Sequence, residues 1–217
     1  IGFVTPEFVT EVKGGGLASY LANISQILTA HGHRVSIITL SEKNSDRIVW
    51  KDGVTVYRIK ADVKAPLMPL KKLLLSWKLY LCEKDLTHRD KIDLIQYASY
   101  EGVGFFHLRR IPAVVRISSD CVAWREFKVY DYDIKKIRPC LTDWLEYHAE
   151  KRIGNIFGPS YATAKLIEQR TGERVTVIES PFYLEKGSFD DSVYHNILEG
   201  KKYYLSHSSM SCLKGTH

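Results

Sequence analysis

Cysteine is scarce in this 217-residue chain: there are four, Cys82, Cys121, Cys140 and Cys212, and they stand far apart. No CxxC pair and no matching histidine spacing accompanies them, which argues against a structural zinc site and suits reduced thiols in a cytoplasmic protein. Long apolar runs are lacking too. None reaches the roughly 20 residues of a membrane-spanning helix, and the opening residues do not read as a signal peptide. The first residue is an isoleucine already inside a strand-like run, so a few residues are expected upstream. Also missing are the basic and aromatic interleaving of an RNA-binding sheet and any recognisable DNA-reading helix, so nucleic acid is not the expected partner.

Base, by contrast, is in excess. Lysine and arginine number 31 against 25 acids, a formal charge of +6 with a pI near 9.0. Such a balance calls for a partner carrying negative charge, and nucleotide sugars, lipid phosphates and acidic membrane surfaces all qualify. With 45% hydrophobic residues the chain can bury one full α/β domain and have something left over.

Residues 1–40 carry the most information. Residues 1–5 are a short apolar run bounded by Pro6, as in a fully buried parallel strand. Gly14, Gly15 and Gly16 then remove every Cβ at a strand-to-helix junction, so the backbone can take positive φ and a ligand can approach closely. From 17 to 31, Leu17, Leu21, Ile24, Ile27 and Leu28 recur at helical spacing, Gly32 follows as a stop, and 35–40 is the next strand. Unpaired N–H groups at the helix start, together with the macrodipole, favour a phosphate or other anionic group there. Two other glycine loops do not fit. A Walker A loop needs Lys followed by Ser or Thr where Leu17 and Ala18 stand. In a dinucleotide GxGxxG the glycines follow the strand at once, whereas about eight residues intervene here and no acid ends the second strand.

The strand, the proline-containing loop, GGG, the helix and then Gly32-His33-Arg34-Val35 before a strand resemble the opening of the N-terminal domain of glycosyltransferase family 4. That is the retaining GT-B group of glycogen synthases and many bacterial polysaccharide transferases. The resemblance implies the N-terminal half of a GT-B fold, a Rossmann-like open parallel sheet with helices on both faces, working in polysaccharide biosynthesis. Its nucleotide-sugar donor is a substrate rather than a cofactor, and no metal is expected.

The rest of the chain continues the alternation. Strands are expected at 54–59, after the Lys51-Asp52-Gly53 turn of a hairpin or edge element, and at 92–97, 113–117, 153–157 and 175–178. Helices are expected at 70–83 and 161–171, with a short one over 101–109. Alternating strands and helices indicate a parallel sheet, whose ligands bind beyond the carboxyl ends of its strands. The loops 5–16, 98–104, 118–125, 158–161 and 179–182 should therefore converge on one cleft.

In that cleft Ser118 and Asp120 are candidates for substrate hydroxyls, alongside the backbone of Gly14, Gly15 and Gly16; Asp120 can equally be a turn or capping residue. The family pattern implies an arginine, an apolar residue and a histidine here. Arg116 fits, but Ser118 holds the histidine position, and a serine cannot serve as an acid or base at neutral pH. Ser160 is placed to cap the helix at 161 and Gly172 to end it. Residues 1–181 are read as the acceptor-side domain, and 182–217 as a linker of little periodicity followed by the truncated start of a donor-binding domain. Lys214-Gly215 resembles the family's KG, whose lysine contacts the donor diphosphate, while Ser209 stands where the family arginine is expected. Lys214 is also readable as an ordinary surface lysine.

Residues 64–82 admit two readings. Leu70, Leu73, Leu74, Trp77 and Leu81 share one helical face, with Lys71, Lys72 and Lys78 around it. Either that face packs on the sheet, or the basic helix makes a peripheral contact with an anionic membrane at its inner face. The leading function is the acceptor-side domain of a retaining hexosyltransferase that passes sugar from a nucleotide sugar to a glycan or lipid-linked acceptor, inactive as this fragment. A non-catalytic carbohydrate-binding or regulatory relative is the alternative, because serines replace both the family histidine and arginine.

Overall fold

The computed structural model describes residues 1–12, 15–64, 68–90, 92–118, 137–182, 190–198 and 201–202. Eight strands form one sheet: β1 Gly2–Thr5, β2 Ser36–Ser41, β3 Asp46–Val49, β4 Thr55–Lys60, β5 Ile95–Ala98, β6 Ala113–Arg116, β7 Ile156–Gly158 and β8 Val175–Val177. Their order is β3-β4-β2-β1-β5-β6-β7-β8, and every pairing is parallel except the β3–β4 hairpin at one edge. The central strands β1 and β5 are buried along their whole length, so neither shows the alternation of a half-exposed strand, and in β5 the buried Gln96 is satisfied by the Tyr20 hydroxyl. Among the described residues five helices accompany the sheet: α1 Gly16–Ala30, α2 Met68–Asp90, α3 Ile137–Ile153, α4 Tyr161–Thr171 and α5 Ser192–Leu198.

Connection handedness sets the layers. The chain moves from β1 to β2 in one direction along the sheet, but from β4 to β5 and from β6 to β8 in the other. Right-handed crossovers then put α1 on one face and α2, α3 and α4 on the opposite one. Glu150 of α3 pairs with Arg170 of α4 at 2.6 Å, an ion pair across neighbouring helices of that layer. The main core has Phe3, Ile37, Leu79, Tyr97, Ile117 and Ile167 at its centre, and a smaller cluster of Phe105, Leu145 and Ala149 sits apart from it.

The expected strands and the 161–171 helix are present with small shifts at their ends. Ser160 caps α4 by accepting from the Thr163 N–H, and Gly172 closes it in the left-handed conformation. Four expectations need correction. The 101–109 segment is not a helix but a 3-10 turn over Tyr100–Gly102 followed by turns. Its backbone is instead satisfied from α2: Ser76 Oγ donates to the Val103 carbonyl and accepts from the Phe106 N–H, and Glu83 accepts from the Leu108 N–H. Residues 153–155 close α3 and lead into β7 rather than opening the strand. The 182–200 stretch holds α5, whose local bonds, Ser192 N–H to Asp190 and His195 to Asp191, support a helix that leaves Tyr194 and Ile197 exposed. Finally, α2 packs on the core through Leu75, Leu79 and Leu86, and of the expected inward face Leu70, Leu74, Trp77 and Leu81 stay exposed.

Candidate functional site

The carboxyl ends of β1, β2, β4 and β5 open onto a cleft of about 510 Å³ lined by Glu7, Lys43, Lys71, Lys72, Tyr100 and Glu101 among others. A slightly larger hollow, about 590 Å³, lies where the strands begin, around Ile1, His33 and Ser36. The first is the candidate, because in open parallel sheets ligands collect beyond the carboxyl ends, where side chains and helix starts of several βα units point together.

Of the three glycines, Gly15 and Gly16 are described. Gly15 has φ +138°, a conformation side chains rarely adopt, and a Cβ there would lie 3.2 Å from a Glu7 carboxylate oxygen. α1 starts at once, with no side-chain cap and no acid in its first turn, so no side chain of its own caps its leading N–H groups. Glu7 stands beside that start, and burial, aided by the charge of Glu101, raises its pKa. Gly14 and Asp120, both named as candidates, lie outside the described residues, as does Lys214.

Ser118 is described, and its neighbours are informative. Arg116, the last residue of β6, is buried and donates from Nη1 to Ser118 Oγ and from Nη2 to Ser180 Oγ, both at 2.8 Å. Its guanidinium lies 3.5 Å from the ring centroid of Tyr20 on α1, and Tyr20 donates to Gln96 of β5. Ser99 links the next loop by accepting from the Ser118 N–H while its own N–H reaches the Arg116 carbonyl. Three of the expected loops, after β5, β6 and β8, are therefore joined around one arginine. Burial holds that arginine below its usual pKa, and among the described residues no carboxylate pairs with it. A buried guanidinium without an anionic partner is costly and has donors to offer an anion.

On the cleft itself, Tyr100 and Glu101 line the wall together with Lys71 and Lys72 of α2, and α3 supports that turn from behind. Glu101 takes a left-handed φ of +62°, pairs with Lys72 at 3.2 Å, and has its N–H held by Glu146 of α3. Burial pushes the Glu146 carboxyl up to about 7, opposed by that hydrogen bond and by Lys72. Sequence reasoning missed Tyr20, Ser180 and the Lys72–Glu101 pair. Arg116 itself was legible as the one charge in the otherwise apolar run AVVRI. No group of three or more His, Cys, Asp or Glu side chains suited to a metal occurs among the described residues.

The family model described as Glycosyltransferase Family 4 matches residues 14–186. The chain belongs to glycosyltransferase family 4. No curated protein matches the sequence. Among solved structures, a sucrose-phosphate synthase from Thermosynechococcus elongatus is similar at 17% identity and TM-score 0.59, over 82% of this chain and 47% of that one. WaaG, a glycosyltransferase involved in lipopolysaccharide biosynthesis, is similar at 13% identity and TM-score 0.51, over 88% and 46%. Os79 from O. sativa, solved with UDP, is similar at 12% identity and TM-score 0.53, over 82% and 50%. At these identities the likeness is one of fold, and it is the Rossmann-like α/β fold of glycosyltransferases. The chain spans about half the length of these three.

Proposed function

We propose that this family 4 chain is the acceptor-side domain of a retaining glycosyltransferase, moving a sugar from a nucleotide-sugar donor to a glycan or lipid-linked acceptor. The observation that carries the reading is Arg116, a buried cation without a described carboxylate, set at the carboxyl ends of the strands near the uncapped start of α1. In the proposed site the backbone N–H groups of Gly14, Gly15 and Gly16 meet a phosphate or sugar oxygen, with Arg116 as the nearby positive charge. Ser118 and Asp120 bind substrate hydroxyls, and Lys214 meets the donor diphosphate from the start of a second domain that follows a linker after residue 181. Nothing in this arrangement requires a protein nucleophile, so the domain contributes positioning and charge stabilisation.

Because the chain spans about half of its structural relatives, the 217 residues alone are proposed to lack transferase activity. The test is an assay of the purified chain with UDP- and GDP-sugars and oligosaccharide acceptors, alongside a longer version carrying a donor-binding domain. Turnover by the longer protein alone supports the reading; turnover by the 217 residues overturns the half-enzyme part of it. Ser118 in place of the family histidine favours a second reading, a non-catalytic carbohydrate-binding relative, and sugar binding by an inactive longer protein would select it.

A further inference from the structure

Leu70, Leu74, Trp77 and Leu81 recur at i, i+4, i+7 and i+11 on α2, opposite its buried face of Leu75, Leu79 and Leu86. Each is between 40% and 47% exposed except Leu74, at 37%, and none lines the carboxyl-end cleft. The stripe does not end at the helix. Trp77 packs edge-on against Phe106 at 5.0 Å, Phe106 against Phe105 at 5.1 Å, and Phe105 against Trp144 of α3 at 5.6 Å. Trp144 is 49% exposed and Leu141, one turn before it, 41%. A run of ring contacts thus links the two exposed tryptophans, one on each helix, through part-buried Phe106 and buried Phe105, whereas exposed apolar residues on a soluble surface are ordinarily scattered singly.

We propose that this α2–α3 surface is a docking face for an anionic lipid bilayer. Charge argues for that occupant. Exposed Lys84 on α2 and Lys151 on α3 fall at helical spacing after Leu81 and Trp144, while the acids Asp62 and Asp85 are already engaged, the first by Lys60 and Lys78 and the second by Arg89. Two tryptophans over a leucine stripe, flanked by lysines, match the depth profile of a bilayer surface: apolar groups inward, indoles at the headgroup level, ammonium groups against lipid phosphates. A second copy of the chain is a poorer fit, since a two-fold contact through this face sets its lysines against their own equivalents. The inference does not depend on the transferase reading, because it rests on the outer surface of two helices.

Cosedimentation of the 217-residue chain with vesicles tests it. Vesicles of mixed phosphatidylglycerol and phosphatidylcholine should bind the protein at about 50 mM salt and release most of it at about 500 mM, as screening dictates, and phosphatidylcholine alone should not bind it. The double variant Leu74→Ser/Trp77→Ser should lower the partition coefficient roughly tenfold or more. Lys84→Glu/Lys151→Glu should do the same, and Lys165→Glu on α4 should leave it unchanged. Because these side chains are exposed, the folded state tolerates the changes, and quenching of tryptophan emission by brominated lipid gives an independent readout in the parent protein. Absence of binding to the anionic vesicles, or equal binding by parent and both double variants, overturns the proposal. So does a dimer in sedimentation velocity that Leu74→Ser/Trp77→Ser dissociates, since the occupant is then a second copy.

Discussion

The central carbon of the Arg116 guanidinium lies 3.5 Å from the centroid of the Tyr20 ring, and among the described residues its terminal nitrogens donate to two serine hydroxyls, Ser118 and Ser180. A cation–π contact and two hydrogen bonds to a charge recover part of the cost of burying it, but not all. A structural arginine and a ligand-binding one then differ in what removal does. Arg116→Met keeps the stem packed on Tyr20 and abolishes the buried charge. Its urea midpoint should match or exceed that of the parent protein, while pyrophosphate, followed by calorimetry, should bind at least tenfold more weakly. A loss of more than about 2 kcal/mol of stability, the range of a broken buried network, would assign Arg116 to the scaffold alone.

Glu83 gives a pH dependence with a definite sign. It is buried in α2, accepts from Tyr97 Oη at 2.6 Å and from the Leu108 N–H at 3.0 Å, and burial pushes it up to about 7 from 4.5. Between those values the folded chain holds a proton that the unfolded chain has lost, so this group's contribution to stability falls as pH rises through that window. The whole effect is on the order of 3 kcal/mol. His107 and the Ile1 amine, both lowered by burial, run the other way, and Glu146 runs with Glu83. The clean measurement is therefore a difference. Glu83→Gln can still accept from Leu108 and donate to Tyr97, so relative to the parent it should gain stability from about pH 5 to about pH 7 and level off towards pH 8. A difference that stays flat over that range would show that Glu83 ionises normally.

How much of this was legible in the sequence depends on what each element buries. β1, α1 and β2 were readable because apolar period, glycine punctuation and chain order agree, and α4 because Ser160 and Gly172 mark both its ends. α3 was not. Its buried positions include Glu146 and Glu150, which are satisfied by a backbone N–H of the 100–102 turn and by Arg170, so its inward face carries charge and shows little apolar period. The face of α2 was misassigned for a related reason: Ser76 and Glu83 are buried because they serve the backbone of 103–108, while the more apolar stripe faces outward. In the site, the glycine loop was visible from composition, but the joining of Ser99, Ser118 and Ser180 through Arg116 depends on residues up to 81 positions apart brought side by side by the strand order.

Cys82 should be chemically silent. Half-buried on α2, its thiol is pushed up to about 12, by desolvation first and then by Asp85 and Glu83. Reactivity belongs to the thiolate. Iodoacetamide at pH 8, read by peptide mass spectrometry, should leave Cys82 unmodified in the native protein over times that label it fully in urea. Equal labelling rates in both states would contradict the packing assigned to this helix.

Two left-handed glycines separate conformational strain from steric exclusion. Gly102 has φ +64°, and a Cβ there would stand 2.9 Å from Leu145 Cβ and 3.3 Å from the Leu145 backbone carbon, so the turn can approach α3 only without a side chain. Gly172 has φ +74° with nothing within 4 Å. Gly172→Ala should cost about 1 kcal/mol, the strain of a left-handed residue alone. Gly102→Ala should cost about 3 kcal/mol, because overpacking against α3 adds to the same strain. It should also carry a consequence that the other lacks: displacing the 100–102 turn breaks the Glu101 N–H bond to Glu146, and with it the support for the Lys72–Glu101 pair on the cleft wall. Urea midpoints give the two costs. Equal costs for the two variants would mean that α3 does not press on the turn, and that the cleft wall owes its shape to something other than that contact.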